Sequence, residues 1–194
     1  MYAPAHPEPR VVAFDYDNTI TRDEKHNHHR HRATHVQKIM GSAERLEKIR
    51  RLFEALHADH VKIIIVTFNQ EPYVRRMLED FGLMRFVSGI YDHDCIYDFV
   101  SRTNIGFSRE SKLRLAKQIF MLYYVGPKFT RDINRQTMML VDDQASNLDH
   151  GLATFCSTVH VDEIRTGYGV GDREIAIICS VFGVACAPCS RGRF

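Results

Sequence analysis

The sequence predicts an α/β protein built on a buried parallel sheet, and three observations predict it. The runs Val11–Phe14, Val61–Thr67 and Met138–Val141 are nearly continuous in apolar residues rather than alternating. Strands covered on both faces read that way. Each run gives way to polar residues: Asp15 and Asp17, then Thr67 and Asn69, then Asp142 and Asp143. Between the first two runs lies a stretch with apolar residues at helical spacing. In open α/β sheets, ligands bind at the carboxyl ends of the strands. The polar termini therefore belong at the mouth of one site.

The length of 194 residues suits one domain with a small elaboration. Residues 1–10 hold three prolines and read as a loose arm. Residues 11–194 read as a single domain, with a flap over 22–40 and a C-terminal extension over 165–194 packed on the core. A net charge of +2 makes no strong field, which disfavours nucleic acid or a membrane surface as partner. The arm has no apolar centre, and the longest apolar run, Ile175–Ala187, falls short of a membrane span. Five cysteines without framework spacing point to a reducing compartment. The expectation is a cytoplasmic protein. Oligomeric state is not legible.

The elements follow in order. Val11–Phe14 is a short buried strand, and Asp15 and Asp17 face a common point once it breaks into a turn. Residues 22–35 carry Lys25, Arg30, Arg32 and five histidines, His26, His28, His29, His31 and His35, with no periodicity. They read as a solvated basic loop at the rim of the site, with a histidine metal cluster as the lesser reading. Ser42–Leu56 reads as a helix capped by Ser42, with Leu46, Ile49, Leu52, Phe53 and Leu56 on one face. Arg45 stands where a full capping box would place Glu. Val61–Thr67 is a β-branched strand. Its terminal hydroxyl, with the N–H groups of Phe68 and Asn69, can hold a phosphate oxygen. Pro72–Phe81 is a helix closed by Gly82, and Phe86–Tyr91 a third strand.

Asp92–Phe107 reads as an irregular loop, with Asp92, His93, Asp94 and Cys95 close together but lacking ligand spacing. Ser108–Tyr124 reads as one helix opened by Ser108. Lys112 lies near its start, against the preference of the helix dipole. Met138–Val141 is a strand ending in Asp142 and Asp143. Leu148–Ala153 begins a helix, Ser157–Val161 is a strand, and Asp172–Val184 a helix packed on the sheet. Cys186 and Cys189 form a lone Cys-x-x-Cys, too little for a zinc site.

The pair Asp15-x-Asp17-x-Thr19 after an apolar strand resembles the first motif of the haloacid dehalogenase-like (HAD) hydrolases. Thr67, Lys112 and the Asp142–Asp143 pair resemble the second, third and fourth motifs, in the family's order. The resemblance covers about residues 11–161. It implies a doubly wound, Rossmann-like parallel sheet and a magnesium-dependent phosphomonoesterase. Asp15 would be the nucleophile that becomes an aspartyl-phosphate and Asp17 the general acid/base; Thr67, Phe68, Asn69 and Lys112 would hold phosphate, with Lys117 the alternative to Lys112. Asp15, Asp143 and the main-chain carbonyl of Asp17 would bind Mg2+, with Asp142 acting through water and Asn147 orienting the lysine or a water. The chemistry is coherent. A carboxylate that attacks phosphorus divides a hard hydrolysis into two steps, and a second carboxyl can protonate the leaving oxygen and then activate water.

Neither the Asp17–Thr67 interval nor the Thr67–Lys112 interval is long enough for the cap domain of many family members. A HAD-like core without a full cap suits phosphate carried on a macromolecule, above all a phosphoprotein, phosphotyrosine included. A nucleotide, nucleic-acid end or small metabolite is the alternative substrate. A non-catalytic binding module is the third reading, and the intact acids argue against it.

Overall fold

The computed structural model describes residues 8–22, 36–148, 155–162 and 169–185. The histidine loop beyond Arg22, the expected helix after Leu148, and Cys186 and Cys189 lie outside the described residues.

Five strands form one parallel sheet: β1 (Arg10–Phe14), β2 (Val61–Val66), β3 (Val87–Tyr91), β4 (Met138–Asp142) and β5 (Ser157–His160), in the order β3-β2-β1-β4-β5. The chain builds outward from β1 on one side, then crosses back to build β4 and β5 on the other. The strand order reverses between β1 and β4, the place where such sheets hold their ligands.

Alternation along the strands divides the interior in two. Val12 and Phe14, Ile63 and Ile65, Met139 and Val141 face one core. Val11 and Ala13, Ile64 and Val66, Met138 and Leu140 face the other. Both cores are closed by helices, so the sheet is doubly wound. The first receives α1 (Ala43–Ala58), α2 (Glu71–Asp80) and, from the chain's end, the helix Asp172–Phe182. The predicted stripe of α1, Leu46 to Leu56, is buried there. Each such side chain contributes about 1.5–3 kcal/mol. Ser42 caps α1 by accepting a hydrogen bond from the Arg45 N–H at 3.0 Å. Pro72 sits in the first turn of α2, and Gly82 follows its end at φ +68.

The second core is closed by α3 (His93–Arg102), α5 (Ala116–Phe120), a wide π turn over Met121–Val125 and α6 (Gly126–Phe129), while α4 (Arg109–Arg114), between α3 and α5, buries none of its residues. Two expectations are corrected here. The stretch after Asp92 is a helix, not a loop. Asp92 caps it through Cys95 N–H at 3.0 Å, and Ile96 and Val100, one turn apart, are buried. Ser108 does open a helix, through Ser111 N–H at 3.1 Å, but that helix breaks at Leu115 and a new one begins at Ala116. The helix Asp172–Phe182, now α7, has the fully buried Glu174, whose carboxylate accepts from Gly171 N–H at 3.0 Å. Among the described residues, no helix is long and apolar enough to cross a membrane.

Candidate active site

Where β1 and β4 end side by side, the chain leaves the sheet in two acidic turns. The N–H of Asp15 still donates to Val141 carbonyl at 2.8 Å, so ladder bonding fixes Asp15 against Asp142. Past Asp15 the chain turns tightly: the N–H groups of Ile20 and Thr21 both donate to Tyr16 carbonyl at 3.0 Å. Asn18 holds a left-handed conformation, φ 55, which Asn tolerates better than most residues.

A buried ammonium joins the two strand ends. Lys117 Nζ donates to Asp15 Oδ1 at 2.6 Å and to Asp142 Oδ2 at 2.8 Å, and Lys117 is 2% exposed. Asp142, fully buried, spends its other oxygen on Gln144 N–H at 2.9 Å and Asn147 Nδ2 at 3.0 Å. Asn147 thus fixes the acid that fixes the lysine. Asp143 is half-buried. Its carboxylate has a long 3.5 Å contact from Asn18 Nδ2, and its carbonyl accepts from His160 Nε2 at 2.8 Å.

Ligand oxygens of Asp15, Asp142 and Asp143 lie within 4.8 Å of one another. With all three ionised, three negative charges surround one ammonium and leave an excess of two. Burial and this excess together set the protonation of Asp15 and Asp143. Burial raises the Asp15 carboxyl well above its ordinary value, Lys117 pulls it down, and Asp142 adds to the rise. Burial and then Asp142 also raise Asp143. Burial works against the charge on Lys117, but Asp15 and Asp142 outweigh it and hold its pKa above the ordinary lysine value. An all-oxygen donor set with an excess of two negative charges fits a hard divalent cation.

β2 supplies a second wall. Thr67 is fully buried, its N–H donating to Tyr91 carbonyl and its Oγ1 accepting from Asn69 N–H, both at 3.0 Å. Asn69 turns its amide to Asp17, donating to both carboxylate oxygens at 3.3 Å. The Phe68 ring lies 4.8 Å from Lys117 Nζ, a cation–π contact.

The structure does not bring Lys112 to this cluster. Its ammonium donates to Thr103 carbonyl at 2.6 Å. Lys112 and Lys117 belong to different helices, α4 and α5, on either side of Leu115. The break at Leu115 makes Lys117 the second residue of α5, so a lysine near a helix start does reach the acids, one helix later than expected.

Three further residues, Arg45, Gly169 and His160, support the site without a motif. Arg45 donates to the carbonyls of Ile20 at 2.7 Å, Thr19 at 3.0 Å and Met40 at 3.1 Å, tying the turn after Asp17 to α1. Burial, helped by Arg22, lowers its pKa only to about 10, so it stays charged at neutral pH. Its place where Glu was wanted in the capping box was the signal. Gly169, φ +75, packs so closely on Arg45 that a Cβ there would overlap the guanidinium. His160 gave no signal.

No family model and no curated protein matches the sequence. Solved structures do resemble it in chain path. An uncharacterized protein from Corynebacterium glutamicum is 16% identical, with a TM-score of 0.48 over 95% of this chain and 98% of that one. A protein assigned to the HAD superfamily (subfamily III A) hydrolases, from Legionella pneumophila, is 14% identical, with a TM-score of 0.46 over 90% and 84%. A protein assigned to the YrbI family of phosphatases, from Pseudomonas syringae pv. phaseolica, is 12% identical, with a TM-score of 0.40 over 90% and 85%.

Proposed function

We propose that the chain is a magnesium-dependent phosphomonoesterase that works through an aspartyl-phosphate on Asp15. The observation that carries this reading is the Lys117 ammonium held between Asp15 and Asp142, with Asp143 beside them. In the first step an Asp15 oxygen attacks phosphorus while the bond to the leaving oxygen breaks, and the Asp17 carboxyl protonates that oxygen. In the second, Asp17 takes a proton from water as the water attacks the acyl phosphate, releasing phosphate and restoring Asp15. Lys117 balances charge on the transferring group, and the Thr67 hydroxyl, oriented by the Asn69 N–H, with the Phe68 N–H receives its oxygens. Asn69 holds Asp17 in place. Asp15, Asp143 and the Asp17 carbonyl would hold Mg2+, which when bound neutralises the phosphoryl oxygens. Asp142 serves the lysine.

A phosphoprotein is the substrate we favour. Between β1 and β2 the described residues contribute the turn after Asp15, the turn Val36–Met40 and α1, and α1 is spent on the core. A panel of phosphopeptides beside nucleotides and small phosphorylated metabolites tests this. Preference for the metabolites would overturn it.

Two measurements probe the assigned roles. Asp17→Asn should lower the rate roughly 10²–10⁴-fold on an alkyl phosphate. The loss should be smaller on p-nitrophenyl phosphate, whose leaving group needs little protonation. Equal losses would count against an acid role. Mg2+ should raise the melting temperature of the wild type by mass action, and chelator should abolish turnover. Asp143→Ala should weaken the Mg2+-dependent shift more than Asp142→Ala, because Asp142 oxygens are already committed to Lys117, Gln144 and Asn147. The opposite ranking would invert the pair.

A further inference from the structure

Beside the acidic cluster lies a groove of about 650 Å³ between α3 and α4. Tyr97 and Val100 line it from α3; Phe107, Arg109, Lys112 and Leu113 line it from the other side. Two of its apolar residues are bare: Phe107 is 38% exposed and Leu113 48%. Its rim is basic. Among the described residues the Arg109 guanidinium has no ionic or hydrogen-bonding partner. The acid of the groove, Asp98, is paired with Arg102 at 2.5 Å.

The groove is joined to the nucleophile by three contacts in series. Asp15 Oδ1 meets Lys117 Nζ at 2.6 Å, that ammonium lies 4.8 Å from the Phe68 ring, and Phe68 stacks on Tyr97 at 5.5 Å. An extended chain advances about 3.3 Å per residue. About three or four residues therefore reach from a phosphorylated side chain at Asp15 to the groove.

We propose that this groove docks an acidic peptide segment, bearing one bulky apolar side chain, that flanks the phosphorylated residue of a protein substrate. The inference rests on the phosphatase reading and narrows its substrate. Charge favours an acidic occupant, because Arg109 and Lys112 line the groove while Asp98 is paired with Arg102. The bare Phe107 and Leu113 supply the place for an apolar anchor. A nucleic acid fits less well. One face of Tyr97 is covered by Phe68, and His93 lies against the same ring at 4.4 Å, which leaves little face for a stacking base.

The test has a binding arm and a kinetic arm. A fluorescently labelled acidic peptide with one Leu and no phosphate is titrated by anisotropy with wild type, Arg109→Glu and Leu113→Asp. The same proteins are assayed on a phosphopeptide with that flank, on one with a neutral flank, and on p-nitrophenyl phosphate. Binding should weaken about fivefold or more in both variants, and KM should rise equally for the acidic phosphopeptide. The constants for p-nitrophenyl phosphate should not move. Equal affinity in all three proteins, equal KM for both flanks, or a matching loss on p-nitrophenyl phosphate would each overturn the docking site. Displacement of the peptide by oligonucleotide at equal charge would reassign the groove to nucleic acid. If wild type turns over no phosphate ester yet binds the peptide through Arg109 and Leu113, the docking surface stands and the phosphatase reading falls.

Discussion

Asp15→Asn should abolish turnover, lowering kcat by about 10⁴-fold or more, while the protein remains folded. An amide has the shape of the carboxylate but cannot form the acyl phosphate. The fold should survive because Lys117 keeps its 2.8 Å bond to Asp142. Asp15 is 5% exposed, and burial already disfavours its charged form, so a neutral replacement is compatible with the interior. Beryllium or aluminium fluoride with Mg2+ should protect wild type against heat and leave the variant unprotected, since the fluoride adduct forms on the Asp15 oxygen. Turnover at wild-type level in the variant, or equal protection of both proteins, would exclude Asp15 as nucleophile.

Lys117→Met should damage activity and stability together. Loss of a preorganised charge at the transferring group should lower kcat roughly 10²–10³-fold. Loss of the ammonium between Asp15 and Asp142 leaves buried acids without their partner, which costs about 3–5 kcal/mol. The pH dependence has a definite sign. Without Lys117 the folded-state pKa of Asp15 rises further above its ordinary value of 3.8. A carboxyl raised in the folded state favours folding while it is protonated, and that advantage is lost as pH rises through the folded pKa. The stability deficit of the variant should therefore shrink as the pH is lowered from neutrality toward 4. Melting curves across that range check it. A deficit that stays constant, or one under about 1 kcal/mol, would sever Lys117 from the acids. Mg2+ should restore part of the deficit, because it supplies the missing positive charge.

Much of this was legible before any coordinates. The apolar runs showed the strands because a strand buried on both faces has no other composition open to it. The carboxylates at their ends then marked where Asp15, Asp142 and Asp143 gather. The helix at 93–102 was hidden because its signal is short: Asp92 as cap, Ile96 and Val100 one turn apart, and polar residues between. The lysine was misplaced for a different reason. Lys112 looked like a helix-start residue, and by sequence it is one. The break at Leu115 creates a second start, and only packing shows it, through Ala116, Ile119 and Phe120 drawing Lys117 inward. Arg45 was visible as an anomaly without an explanation. Its three carbonyl partners come from residues 5, 25 and 26 positions away, and no local pattern reports such convergence.

The alternation along β1 has a consequence for how this protein can change. Val11 and Ala13 serve one core, Val12 and Phe14 the other, and Asp15 takes its aim from the same register. Inserting a single residue ahead of Asp15 would exchange every side chain between the two cores, and it would turn the Asp15 carboxylate away from Asp142 in the same stroke. Deep mutational scanning should find no indel in residues 10–15 that spares either folding or turnover. The segment 103–108, joined to neither strand end, should tolerate length changes. The frame that aims Asp15 is therefore kept or lost whole.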